Sequence, residues 1–180
     1  MAFVIKNTNA PKSSPVAGSG QAFLDQAIHV TRGALVVPQS TTEQLFLVKG
    51  GRVRIKGLVG EVTTIMTATD PVMKVSSQKL DAAQTATVGT AVDVASTVDI
   101  SSLEVGGFVF VEGDGTAAVK SNAGAAFIGT NSGQWVAPAG QIYITTTANN
   151  VTGQMKWDLW YQPLDEGAFV VAVSTATTKI

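Results

Sequence analysis

From residue 44 onward, hydrophobic and polar positions alternate with a period of two, the mark of half-buried β-strands. Residues 44–48 form an apolar run, and Gly50-Gly51 follows as a two-residue hairpin signal. The next segment alternates cleanly. Val53 and Ile55 take the core face, and Arg52, Arg54 and Lys56 take the other, about 6.8 Å apart in succession. Gly57 and Gly60 bracket Leu58-Val59 as candidate bulge positions. Residues 61–69 are rich in β-branched side chains, Asp70-Pro71 turns the chain, and 72–75 begin another short strand. Residues 76–90 are polar and rich in Ala and Thr, and read as a surface excursion. Strands are expected at 92–100 and 108–111, with turns at 101–107 and 112–115 and weaker strand material around Phe127 and Trp135.

The C-terminal third has the clearest pattern. A strand at 141–147 leads through Asn149-Asn150 and Gly153 into a second at 154–162. A turn at 163–167 then precedes a final strand at 168–173, which is apolar on both faces and so expected to be covered on both. Within 154–162, Met155, Trp157, Leu159 and Tyr161 share the core face, while Trp160 lies opposite beside Lys156 and Asp158. Pairing of this strand with 141–147 would bring Tyr143 outward near Trp160. Two outward aromatics on adjacent strands suggest an interface, where Trp and Tyr are enriched. A second sheet or an N-terminal arm lying over them accounts for the pattern equally well.

Residues 7–20 (NTNAPKSSPVAGSG) lack periodicity and carry the Pro, Ser, Gly and Asn of an extended arm. Residues 21–28 allow a helical turn or two. The expected organisation is an arm over 1–20 and one β-domain over 21–180. The fold class is all-β: an antiparallel β-sandwich or jelly-roll-like barrel with an extended N-terminal arm.

Composition narrows the function. Only 14% of the 180 residues are charged against 45% hydrophobic, and the net charge is −1. A surface so sparsely charged suits a protein covered by partners, and gives nucleic acid no electrostatic footprint. No stretch is long and apolar enough for a signal core or a membrane span. His29 is the single histidine and there is no cysteine, so His clusters and thiolate chemistry are excluded. No G-x-S-x-G or phosphate-loop pattern occurs. Glu112-Gly113-Asp114-Gly115 lacks the spacing of a calcium loop, and most acids fall in turns. No catalytic residue, metal ligand or cofactor is assigned, and the chain is expected not to be an enzyme. The face carrying Arg52, Arg54 and Lys56 reads either as a dock for an acidic surface or as the solvated side of a hairpin.

Val136-Ala137-Pro138-Ala139-Gly140-Gln141-Ile142, Thr152-Gly153, Lys156-Trp157 and Trp160-Tyr161-Gln162-Pro163-Leu164-Asp165-Glu166-Gly167-Ala168 resemble small capsid-associated proteins of tailed bacteriophages. Gln44-Leu45-Phe46, Val48, Gly50-Gly51, Val53, Ile55 and Gly60-Glu61-Val62 look like the same family. These blocks are β-hairpin patterns without a catalytic signature, and residues 75–134 have no counterpart in them. The resemblance implies a head decoration or cement protein. Such a protein would be made in the host cytoplasm and would trimerise on the capsid exterior against the major capsid protein. The expected contact residues are Phe3, Val4 and Ile5 of the arm, with Arg52, Arg54, Lys56, Tyr143 and Trp160. The alternative is a fibre, receptor-binding or carbohydrate-binding β-domain in which Trp160 or Trp135 stacks on sugar rings.

Overall fold

The computed structural model describes residues 27–67, 71–101, 103–111, 120–122 (backbone only), 134–147 and 152–176. Among these residues twelve strands follow one another: β1 (Ile28–Val36), β2 (Thr42–Lys49), β3 (Val53–Thr64), β4 (Val72–Lys79), β5 (Val92–Asp93) and β6 (Val98–Asp99); then β7 (Phe108–Phe110), β8 (Lys120–Asn122), β9 (Trp135–Ala137), β10 (Gly140–Thr146), β11 (Gln154–Pro163) and β12 (Phe169–Ala172). They form two sheets. The front sheet runs β1-β11-β3-β7-β8, with β9 also on β3; the back sheet runs β12-β2-β10-β4-β5, with β6 also on β4. Every strand pairing is antiparallel. The protein is an all-β antiparallel sandwich, with no helix among the described residues.

The core lies between the sheets. From β11 come Met155, Trp157, Leu159 and Tyr161, the four side chains that alternation selects; Phe46, Val48, Val75, Ile142 and Ile144 meet them from the back sheet. Each such burial stabilises the fold by about 1.5–3 kcal/mol relative to exposure. On β3 the inward positions change parity. Val53 and Ile55 are buried, then Leu58, Gly60 and Val62. A bulge causes the change: Trp160 faces Gly57 while Tyr161 faces Ile55, so Lys56 is the extra residue. Gly57 thus flanks a bulge, as its position suggests. Gly60 instead sits on the core face opposite Trp157, where an added Cβ would lie 2.9 Å from the Trp157 ring and 2.6 Å from Met155 Cε. Only glycine leaves room for that indole.

Several expectations change at the level of pairing. Gly50-Gly51 does not close a hairpin, because β2 and β3 belong to different sheets. The glycines carry the chain across instead. Gly50 has φ 74°, and a Cβ there would come within 2.2 Å of the Gly167 carbonyl oxygen. β10 and β11 likewise separate into back and front sheets, so they do not pair. Ile28 begins a strand that periodicity does not reveal, since its centre turns Arg32 inward; residues 21–26 lie outside the described residues. The expected excursion at 76–90 begins as strand, because β4 runs on to Lys79 with Ser76 and Ser77 buried. The expected strand at 92–100 divides into β5 and β6, with Val94 and Ala95 packed into the core between them. β12 is an edge strand with Phe169 44% exposed, so it is not covered on both faces. The turn at 112–115, Phe127 and the arm lie outside the described residues.

Candidate interaction surface

The site grows from the alternation of β11. With Met155, Trp157, Leu159 and Tyr161 in the core, Lys156, Asp158 and Trp160 must occupy the outer face of the front sheet. Cross-strand neighbours share a face. Trp160 therefore sits between His29 of β1 and Gly57 of β3, Asp158 between Thr31 and Val59, and Lys156 beside Glu61. The His29 and Trp160 rings stack, with centroids 4.7 Å apart and planes 10° from parallel. Asp158 Oδ1 accepts a hydrogen bond from His29 Nε2 at 2.8 Å and another from Thr31 Oγ1 at 2.6 Å. The stack contributes about 0.5–1.5 kcal/mol, and the half-exposed polar pairs less than about 1 kcal/mol each.

On the far side of β3, Val59 faces Phe110 and Glu61 faces Phe108, and the two phenylalanine rings lie 6.2 Å apart. A band of partly exposed rings and apolar side chains thus crosses four strands. Lys156 pairs with Glu61 inside it, and its ammonium is held above its usual value chiefly by that bond.

The cations divide. Arg52 lies just before β3 and clamps the turn after β11: Nε and Nη2 donate to the two Asp165 oxygens at 3.0 and 2.7 Å, and the Arg52 backbone N–H adds a third bond at 2.7 Å. Those bonds hold the Asp165 carboxyl down at about 2. Arg52 therefore clamps this turn, with its side chain still largely exposed. Arg54 faces Gln162 and Val136 and is half-buried. Lys56 is half-buried at the bulge, its ammonium lowered first by burial and then by the charge of Arg54. Trp160 is outward as expected, but its ring partner is His29 rather than Tyr143. Tyr143 lies in the back sheet, 3% exposed, between Gln44 and Ser76. Trp135 packs against the core. Phe3, Val4 and Ile5 lie outside the described residues.

The outer face of the back sheet is polar yet buried. Gln44 Nε2 donates to Gln141 Oε1 at 2.7 Å, Gln141 Nε2 to Gln78 Oε1 at 3.4 Å, and Gln78 Nε2 to the Gly89 carbonyl at 3.1 Å. Beside this ladder, Asp93 accepts from Ser76 Oγ at 2.7 Å and Lys74 Nζ at 3.0 Å.

At the seam between the sheets, sequence reasoning missed a buried ion pair. Arg32 of β1 reaches Glu43 of β2 and donates from Nε to the Val173 carbonyl at 3.0 Å, tying β1 to the back sheet. Burial pushes the Arg32 guanidinium down to about 10. The only signal was an arginine interrupting a neutral, apolar segment. Beside the pair lies a cavity of about 290 Å³, lined by Val36, Val37, Pro38, Thr42, Glu43 and Ala176 among others.

These features define a class: an antiparallel β-sandwich with an aromatic outer face on one sheet and a buried polar layer on the other. Comparison with protein-family models, curated proteins and solved structures returns no match. Among the described residues, no three His, Asp or Glu side chains converge as metal ligands, and no helix is long and apolar enough to cross a membrane.

Proposed function

We propose that this chain is a structural virion protein, a decoration protein that oligomerises on the exterior of a tailed-phage head and braces the major capsid protein. The observation that carries the reading is the band of His29, Trp160, Val59, Phe110 and Phe108 across the front sheet, bordered by Arg54 and Lys56. Aromatic residues and arginine in a setting poor in charge are what protein interfaces select. The acids support a non-catalytic reading. Asp81, Asp93, Asp99 and Asp165 are all held below the ordinary carboxylate value, by Thr85, Ser76, Ser101 and Arg52 in turn. Each is committed to shaping a turn or anchoring a strand. The resemblance at residues 136–142 and 160–168 supplies the capsid as partner, and trimers are the favoured assembly.

The test is co-sedimentation with purified heads lacking the protein, together with its mass by light scattering. The protein should bind at saturable, fixed sites and elute as an oligomer, and Trp160→Ala should abolish binding while the domain stays folded. A monomer that ignores heads would sink the proposal. A second reading rests on the same ring pair: with Asp158 and Thr31 beside it, the His29–Trp160 stack has the stacking surface and polar groups of a sugar site. Quenching of tryptophan fluorescence by glycans, lost in Trp160→Ala, would favour that reading over the first.

A further inference from the structure

We infer that His29, Thr31 and Asp158 form a site for a first-row divalent transition-metal ion on the outer face of the front sheet. The site stands whether or not the protein decorates heads.

The sheet itself brings the three side chains together. His29 and Thr31 are two residues apart on β1, so both project from one face, and antiparallel pairing sets Trp160 and Asp158 of β11 opposite them. The polar atoms make a triangle. His29 Nε2 lies 2.8 Å from Asp158 Oδ1, Thr31 Oγ1 lies 2.6 Å from the same oxygen, and Thr31 Oγ1 and His29 Nε2 are 3.3 Å apart. An ion held about 2.1 Å from ligands at right angles needs those ligands about 3.0 Å apart. The triangle therefore has the size of one face of a metal octahedron. Its chemistry is mixed. Imidazole nitrogen suits nickel, copper, iron and zinc, whereas magnesium and calcium take oxygen alone. The carboxylate supplies charge, and a threonine hydroxyl serves as a neutral metal ligand, as it does in phosphate loops.

The surroundings admit an ion. The His29 and Asp158 side chains are 47% and 19% exposed, so the outer positions of the octahedron open to water. Lys156, the next outward side chain of β11, is bonded to Glu61, which leaves two acids against one ammonium along this part of the sheet. Arg54 and Lys56 lie on β3, beyond Trp160. A metal binds in the plane of the imidazole, so the stack on Trp160 is kept. Within the cluster the ring proton moves from Nε2 to Nδ1, and the Thr31 hydroxyl turns its proton to water. A bound ion would then clip β1 to β11 more firmly than half-exposed hydrogen bonds do.

A single histidine and no cysteine make the test direct. Calorimetric titration of the full chain with NiCl2 should show one saturable site per chain, and MgCl2 should show none. Nickel should also quench tryptophan fluorescence, through Trp160 beside His29, and raise the melting temperature; EDTA should reverse both. His29→Ala should abolish all three effects. Partners of metal ligands are themselves worth about 10–100-fold in affinity, so Asp158→Asn should weaken nickel binding at least about tenfold. Thr31→Val, which keeps the β-branch, should weaken it severalfold. Circular dichroism checks that each variant stays folded. A lone surface histidine would behave otherwise: nickel bound by Asp158→Asn or Thr31→Val as tightly as by wild type overturns the inference. A wild-type chain with no saturable nickel site overturns it as well, and leaves the decoration reading untouched.

Discussion

On the front sheet the side chains turned away from the core are Lys156, Asp158 and Trp160, half-buried and engaged with His29, Thr31 and Glu61. On the back sheet the middle of that face holds Gln44, Ser76, Gln141 and Tyr143, none more than 3% exposed, with Leu47, Lys74, Gln78 and Thr145 half-buried around them. Both sets obey the same alternation. Parity therefore settles which side of a sheet a residue occupies, and leaves open whether that side meets water. Residue chemistry separates the two. The buried face uses neutral amides and hydroxyls that satisfy one another, which removes most of the cost of desolvating them. The half-buried face mixes rings with full charges, which keep part of their contact with water.

The comparison breaks most visibly at Tyr143. Tyr143→Ala should cost about 3–5 kcal/mol, the loss expected of a buried aromatic, read from the urea midpoint; a loss under about 1 kcal/mol would mean the back face is open after all. Gln141→Leu comes next. It leaves Gln44 without its acceptor and should cost about 1–3 kcal/mol, with Gln44→Leu added in the same chain recovering part of that loss. On the front face, Trp160→Ala should cost only about 1 kcal/mol of stability, the share of one aromatic stack, and its main effect should be on binding.

The smallest effect is electrostatic. Asp93, at the rim of the buried face, is held below its ordinary value by the Ser76 hydroxyl, with Lys74 assisting. A carboxyl lowered by folding contributes fully above about pH 4 and loses that contribution as pH falls through its folded value. The stability difference between wild type and Asp93→Asn should therefore shrink on acidification below about pH 4. A difference that stays constant from pH 6 down to 3 would contradict the role given to Asp93.

Much of the fold was legible where a strand carries its own evidence. β11 declares its core face and its outward tryptophan in ten residues, and Gly57 flanks the bulge of the neighbouring β3. Partners were not legible. Asn149-Asn150 and Gly50-Gly51 say that the chain turns, and nothing local says whether the turn stays in one sheet. β1 escaped notice because its inward centre is an arginine, neutralised by Glu43 on a strand of the other sheet. The candidate site was half legible for the same reason. Trp160 follows from alternation alone, whereas its stack depends on His29, which pairs across from it and lies 129 positions before its other partner, Asp158. Tyr143 lies on the side of its strand that alternation predicts, but in a buried polar layer between Gln44 and Ser76.

The strand order also decides when this molecule can come into being. β1 waits for β11, β2 for β10 and β12, and β3 for β7, β9 and β11; none of the first three strands pairs with another of them. A chain still on the ribosome up to residue 139 holds nine of the described strands and neither of the two that knit them, β10 and β11. Closure must follow synthesis rather than accompany it. A domain built on pairings so distant in sequence folds in roughly milliseconds to seconds, and its waiting strands are exposed to mispairing throughout. Truncations at the C-terminal side should leave the N-terminal strands without structure, however well conceived their own sequences.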